Sequence, residues 1–464
     1  MSPLTPEEIS AFTPESPAGS PAERLARARS AMADTGCWLP GQKMGSQWPI
    51  ACVALEITQR CNLDCTSCYL SEHSEAVRDI PLGEVFRRID LIHRYYGTST
   101  NVQITGGDPT LRRREELLAI IRRVHELRMR STLMTNGIRA SRELLIELSD
   151  AGLTDVAFHV DTTQGIKGYA DEAALNSLRE RYLDRAQGLP LSVMFNTTVH
   201  AGNFEQVPEL VRFFRSHAAR IRTVSFQPHA ETGRGVAASR PLQISLQTME
   251  TQIRRGAETA VRFDVVRVGH PSCSRYGMCL AVGSELFDLL DEPEFIHEIE
   301  TATSALHFDR TRPVRNALNL LSWLARHPRE VVSTTRWATR ILRRVRTALL
   351  RSRGRASTLS FVIHDFMDDE ALDRERIHAC VFKVMTGEGP VSMCLHNARR
   401  DDYILAPVKL GDRFWQPLTG ETLPRPADGP VPDPLTYPIK RLKGRTRRVI
   451  ARSRAAKPTA ERRS

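Results

Sequence analysis

From residue 51 the chain alternates between two hydrophobic rhythms, and no other feature limits its fold as strongly. Segments 51–57, 101–105, 131–134, 154–160, 191–198 and 221–227 are mostly β-branched or aromatic and bounded by turn residues, as strands are. Between them, 82–95, 112–128, 141–150, 172–186 and 204–217 read as helices; in the last, Phe204, Val207, Leu210, Val211 and Phe214 recur at helical spacing. Six βα repeats of ~30 residues predict a parallel sheet, because parallel strands need crossover helices. An open doubly wound sheet and a curved partial barrel both satisfy this pattern. Both place a ligand site at the carboxyl ends of the strands.

The flanks are less regular. Residues 1–20, rich in Pro, Ser and Glu, read as disordered, and 21–33 as a short helix, which makes 1–45 an N-terminal extension to a core at 46–235. A C-terminal part at 236–416 holds a helix near 245–258, a strand near 262–268, a basic helical region at about 314–350 and a cysteine-bearing segment at 360–405. Residues 417–438 read as an extended proline-rich linker, and the basic tail to 464 as disordered. No apolar run reaches the ~18–20 residues of a membrane span, and the N-terminus lacks a signal-peptide pattern. Seven of nine cysteines are clustered, which favours metal ligation in a reducing cytoplasm over a disulfide framework.

Cys61, Cys65 and Cys68 form a C-x3-C-x2-C triplet directly after the first strand. Three thiolates on one tight loop can hold three irons of a [4Fe–4S] cube and leave the fourth open, whereas an electron-transfer ferredoxin uses four cysteines. An open metal position is what a catalytic centre keeps. A zinc site completed by His73 is the alternative, since C-x3-C-x2-C-x4-H also suits zinc. The second feature, Gln103-Ile-Thr-Gly-Gly-Asp-Pro-Thr110, falls where the second strand ends. Adjacent glycines there permit close backbone approach, and Asp108 adds an acceptor.

Together these motifs resemble the radical SAM superfamily over roughly residues 50–230. The resemblance implies an α/β fold with a partial (βα)6 TIM-like barrel and a C-terminal α-rich, cysteine-bearing extension. It implies that S-adenosylmethionine chelates the open iron of a [4Fe–4S] cluster on Cys61, Cys65 and Cys68, and that Gly106, Gly107 and Asp108 bind its amino group. Reductive cleavage would then release a 5′-deoxyadenosyl radical that abstracts hydrogen from an organic substrate, with a reductase, flavodoxin or ferredoxin as electron donor. Asp161 and Asn196, at strand ends, are implied contacts to the ribose or carboxylate; His159, His200 and His229 are further pocket candidates. Two departures stand out: Asp108 replaces the family's glutamate, and Ser67 replaces the aromatic residue often found before the third cysteine.

Cys273, Cys279, Cys380 and Cys394 supply four further thiols, the complement of a closed cubane. An auxiliary iron–sulfur cluster, a zinc site with His270, His378 or His396, and plain structural thiols all fit them. The loop Phe226-Gln-Pro-His-Ala-Glu-Thr-Gly-Arg-Gly235 and the Cys-Asn-Leu-x-Cys-x-x-Cys-Tyr triplet are similar to tetraether lipid synthase-type and MoaA-like radical SAM proteins. The first of these types joins unactivated lipid chains, so the resemblance implies a lipid substrate.

Charge bears on the partner. Residues 331–364 hold eight arginines and no acid, and 440–464 hold eleven Lys/Arg and one acid; the rest is net acidic within a total of +11. Trp337, Ile341, Val345 and Ala348, with Leu342 and Leu349, form an apolar stripe flanked by Arg336, Arg340, Arg343 and Arg344. Such a helix can lie on an anionic membrane surface, placing the protein in the cytoplasm and peripherally at the membrane. It can equally pack on the barrel. Nucleic acid is disfavoured, since no aromatic-rich RNA-binding module surrounds it. Modification of a peptide or RNA, and a non-catalytic metal-binding protein with a nucleic-acid-binding tail, stay open as alternatives.

Overall fold

The structure, a computed structural model, describes residues 3–16, 18–43, 48–235, 242–309, 312–427 and 429–437. The basic tail at 440–464 lies outside them.

Six strands follow the predicted order: β1 Cys52–Thr58, β2 Asn101–Gly106, β3 Arg130–Thr135, β4 Asp155–His159, β5 Ser192–Val199 and β6 Thr223–Pro228. They pair in parallel, each with the next. Every residue of β1 is buried, as expected of a strand covered on both faces. The crossover helices pack outside by their apolar stripes. Leu82–Tyr96 buries Val85, Ile89, Ile92 and Tyr96, and Val207–Ser216 buries Val207, Leu210, Val211 and Phe214. Phe158, Phe195 and Phe214 stack at 5.8 and 5.5 Å between sheet and helices. The result is an α/β fold around a large, mostly parallel sheet, consistent with a partial TIM-like barrel.

The C-terminal part supplies strands as well as helices, at both edges of this wall. They are β7 Ser274–Val282, β8 Glu285–Asp288, β9 Ala356–His364, β10 Phe382–Met385 and β11 Pro390–Ser392. The eleven-stranded order is β11-β10-β1-β2-β3-β4-β5-β6-β9-β7-β8. β9 runs parallel to β6 and β10 parallel to β1, so the chain returns to pair with its first strand. That return brings the helices Met393–Ala398 and Arg400–Ile404 beside the carboxyl end of β1.

Two local expectations change, and the alternatives left open for the basic helix are resolved. Residues 262–268 form no strand: Phe263 enters the main core while Val265, Val266 and Val268 join a second cluster, and the backbone pairs with no ladder. The N-terminal stretch expected to be disordered carries a helix, Pro6–Ser10, with Leu4, Ile9 and Phe12 packed around Met367, Leu372 and Leu395. Glu15 ties it to Lys383 at 2.8 Å. Most of the apolar stripe of the basic helix, Pro328–Arg351, packs inward, which is the barrel-packing alternative, while its Leu342 is 59% exposed. Ile341, Val345 and Ala348 pack on Val282, Leu280, Phe287 and Leu289, and Trp337 stacks on Phe295. Arg340 and Arg344 pair with Asp291. Among the described residues no helix is long and apolar enough to cross a membrane.

Candidate functional site

The cysteine loop leaves β1 at Thr58 and is fastened at both ends. Arg60 binds Asp79 through Nε at 3.2 Å and the Leu111 carbonyl at 2.9 Å, and Asp79 also accepts from Thr58 Oγ1 at 2.6 Å. Buried Arg112 donates to the carbonyls of Ile57 and Ile80 at 2.5 and 2.7 Å, clamping entry to exit. Between these clamps, Thr66 donates to the Thr163 carbonyl, and Asn136 Nδ2 donates to Asn62 at 2.7 Å while lying 3.9 Å from the Cys61 sulfur. The loop is thus held from the ends of β2, β3 and β4.

The two glycines at the end of β2, Gly106 and Gly107, make the closest of these contacts. Gly107 N donates to Thr58 O at 2.9 Å and Asp108 N to Arg60 O at 2.8 Å. A Cβ added at Gly106 would lie 1.9 Å from Thr58 O, and one at Gly107 1.9 Å from Arg60 O. Only hydrogen fits there. Tyr69 OH donates to Gly106 O at 2.5 Å, so the residue after the third cysteine reads the same motif from the other side.

Asp108 itself has a structural role. Its carboxylate accepts from Thr110 N and Oγ1, from Thr135 Oγ1 at 2.9 Å and from Asn136 N at 2.9 Å. Four donors fill the acceptor capacity of a carboxylate, which leaves none for a cofactor amino group. Asp161 is filled in the same way by Thr163 N and Oγ1, Thr198 N at 2.7 Å and His159 Nε2 at 2.7 Å. Burial pushes its carboxyl up, but His159, Thr163 and the Thr198 amide outweigh this and hold it at about 2. Asn196 differs. It is 4% exposed, alternates along β5 with helix-facing Phe195, and its side-chain amide makes no hydrogen bond among the described residues. Of the three histidines, His159 serves Asp161, His200 meets Thr162 Oγ1 at 3.1 Å, and His229 reaches Ser67 within the cysteine loop.

Cys61, Cys65 and Cys68 form no disulfide and are partly exposed beyond the carboxyl end of β1. Leu63 N points at the Cys61 sulfur at 3.5 Å, as donors to thiolates do in iron–sulfur sites. Among the described residues no three His, Cys, Asp or Glu converge as one metal ion would require. His73, the alternative zinc ligand, is bonded to Asp401 at 3.0 Å. With His73 engaged by Asp401, the three thiolates of the loop suit a cube, which takes one thiolate per iron, better than a zinc site completed by His73.

Two features escaped the sequence reading. Glu56, the one charge in β1, forms a buried pair with Arg400 at 2.7 Å, and Arg400 lies 4.7 Å over the Tyr69 ring. Burial would raise the Glu56 carboxyl, but Arg400, His396 and Gln59 hold it below its ordinary value. The C-terminal helices thereby brace the cysteine loop. A charge inside an otherwise apolar strand was the available signal; its partner, 344 residues away, was not.

The second cysteine set divides. Cys273, Cys380 and Cys394 line one small cavity with His270, His364, Met367 and Arg376. Burial pushes the Cys273 thiol up to about 11, against the opposing pull of Arg376, whose Nε lies 3.2 Å from its sulfur. Cys279 is not among them. It sits six residues further along β7, about 20 Å at strand spacing, within the main core.

Residues 55–214 match the sequence model of the Radical SAM superfamily, and this stretch is a radical SAM domain. Members of that superfamily use a [4Fe–4S] cluster and S-adenosylmethionine. Similar proteins include the 7,8-dihydro-6-hydroxymethylpterin dimethyltransferase of Methanocaldococcus jannaschii, 26% identical over 39% of this chain and 36% of its own length. The PqqA peptide cyclase of Bradyrhizobium diazoefficiens is 30% identical over 35% of this chain and 43% of its own. The GTP 3′,8-cyclase of Streptomyces coelicolor is 28% identical over 44% and 62%. The chain thus spans less than two thirds of each relative. Among solved structures, Streptococcus suis SuiB bound to its precursor peptide SuiA aligns over 51% of both chains at 16% identity, with a TM-score of 0.36.

Proposed function

We propose that this protein is a radical SAM enzyme acting on an organic substrate. When bound, the cluster and cofactor would supply one-electron reductive cleavage of the sulfonium, and with it the means to remove a hydrogen atom from the substrate. Cys61, Cys65 and Cys68 would hold the cluster; the backbone at Gly106 and Gly107 and the amide of Asn196 would meet S-adenosylmethionine. A reductase, flavodoxin or ferredoxin would supply the electron. The observation that carries this reading is a loop of three cysteines, none in a disulfide, pinned by two glycines that tolerate no side chain. Anaerobically reconstituted, reduced protein should form 5′-deoxyadenosine from S-adenosylmethionine, and Cys65→Ser should abolish it. Equal yield from both proteins would contradict the proposal.

For the substrate we favour a lipid or other long apolar molecule, met by a cytoplasmic protein resting on an anionic membrane. The helix Pro313–Arg326 supports this. Val314, Leu318 and Leu321 lie on one face and are 72, 61 and 62% exposed. Residues 312–355 carry twelve arginines against one acid, Glu330. An exposed apolar ridge within a basic surround suits anionic headgroups over acyl chains. Deuterium passing from perdeuterated acyl chains into 5′-deoxyadenosine would support a lipid; cofactor cleavage without such transfer would point to another substrate.

For the second site we propose an auxiliary iron–sulfur cluster on Cys273, Cys380 and Cys394 without Cys279; the small cavity that the three line supports it.

A further inference from the structure

Beyond β6, the Thr-Gly-Arg-Gly end of the Phe226–Gly235 segment runs along the backbone of the cysteine loop. Arg234 N donates to Leu70 O at 2.8 Å and Gly235 N to Cys68 O at 2.9 Å. Both glycines are required for this approach. A Cβ on Gly233 would lie 2.3 Å from the Tyr69 carbonyl, and one on Gly235 2.6 Å from Cys68 N. Arg234, between them, is only 6% exposed. Its guanidinium hydrogen-bonds the Cys68 sulfur and feels Glu75 and the Cys61 sulfur. Glu75 is 3.6 Å away and its side chain 8% exposed.

Two donors of this guanidinium, Nε and Nη2, are buried with no hydrogen-bond partner among the described residues. Burying a charge with unused donors is costly unless negative charge meets it. Thiolate-bound iron and sulfide would provide that charge, with sulfur acceptors. The potential of an iron–sulfur cluster follows its net charge, the hydrogen bonds to its sulfurs and its exposure. Reduction adds one negative charge, so a fixed guanidinium at one corner favours the reduced form.

We propose that Arg234 is a positioning residue that makes the cluster on Cys61, Cys65 and Cys68 easier to reduce, through its charge and hydrogen bonding at the Cys68 corner; this rests on the function proposed above. The backbone contacts of Arg234 and Gly235 survive side-chain replacement, so the side chain can be tested separately from the loop's packing.

The test is potentiometric titration of anaerobically reconstituted protein without S-adenosylmethionine, followed by electron paramagnetic resonance, with iron and sulfide measured first. Arg234→Gln should lower the reduced-to-oxidised ratio at a fixed potential about tenfold, which for one electron is a shift of about 59 mV to more negative values. Arg234→Lys, which keeps the charge, should change the ratio less than threefold. Glu75→Gln removes the opposing carboxylate and should shift the potential the other way. If Arg234→Gln fails to hold iron, the Lys and Glu75 variants decide by the same signs. A loaded Arg234→Gln protein at the wild-type potential, equal shifts in Gln and Lys variants, or a negative shift in Glu75→Gln would each overturn the proposal. Wild-type protein that assembles no cluster would defeat the function itself, and this inference with it.

Discussion

Replacing Gly107 by alanine adds one methyl group at the most crowded point of the site. The new Cβ would stand 1.9 Å from Arg60 O, 2.4 Å from Arg60 C and 3.0 Å from Cys61 N. Relief requires about 1 Å of movement, and the atoms that must move are backbone at the first cysteine. Gly107 does not lie in the left-handed region, so the cost comes from contact and not from backbone strain. Two hydrogen bonds are at stake, Gly107 N to Thr58 O and Asp108 N to Arg60 O. At ~1 kcal/mol each they make a loss of about 2 kcal/mol in unfolding free energy, which urea titration resolves. A shift of ~1 Å at a reacting centre can cost ~10²-fold in rate. Gly107→Ala should therefore fold, hold less iron after reconstitution and form 5′-deoxyadenosine about a hundredfold more slowly. Gly83→Ala is the matched control, because nothing lies within 4 Å of its Cβ and it sits in a helix; it should be neutral or stabilising by up to ~1 kcal/mol. Wild-type iron content and rate in Gly107→Ala would refute the reasoning.

Arg400→Met strands Glu56 in the core and should cost ~3–5 kcal/mol in urea unfolding, while Glu56→Gln with Arg400→Met should recover much of that loss. Asp161 titrates at about 2 when folded against an ordinary 3.8, so its stabilisation is full above the ordinary value and is lost as pH falls toward 2; Asp161→Asn should flatten the stability–pH curve below pH ~4. Cys380→Ser should lower the metal content of reconstituted protein, whereas Cys279→Ser should leave it unchanged; equal losses would show that the cavity does not define the second site. Leu318→Asp with Leu321→Asp should weaken sedimentation with anionic vesicles at least tenfold and leave cofactor cleavage in solution intact; undiminished sedimentation would remove the ridge as a membrane contact.

The barrel was legible because its signal is local. β1 to β6 and the helices between them each carry their own periodicity, and the observed bounds fall within a few residues of those read from the chain. The cysteine triplet and the glycine pair were legible for the same reason, being short and close in sequence. Less visible were pairings over long separations: β10 beside β1, Arg400 on Glu56, Arg234 on Cys68. Residue type also misled where geometry decides. Asp108 and Asp161 look like ligand acceptors in sequence, yet neighbouring hydroxyls and amides, and for Asp161 also His159, supply each carboxylate with four donors. Cys279 shares a short motif with Cys273, but an extended strand carries the two apart. The apolar stripe of Pro328–Arg351 reads alike whether a membrane or the β7–β8 hairpin covers it.

The central claim is a cubane with one iron left open for S-adenosylmethionine, and Mössbauer spectroscopy of the reconstituted wild type before and after adding that cofactor tests it most directly. The account predicts that one of the four irons changes its isomer shift while the other three keep theirs. Four irons unmoved by the cofactor, or zinc in place of iron on Cys61, Cys65 and Cys68, would contradict it.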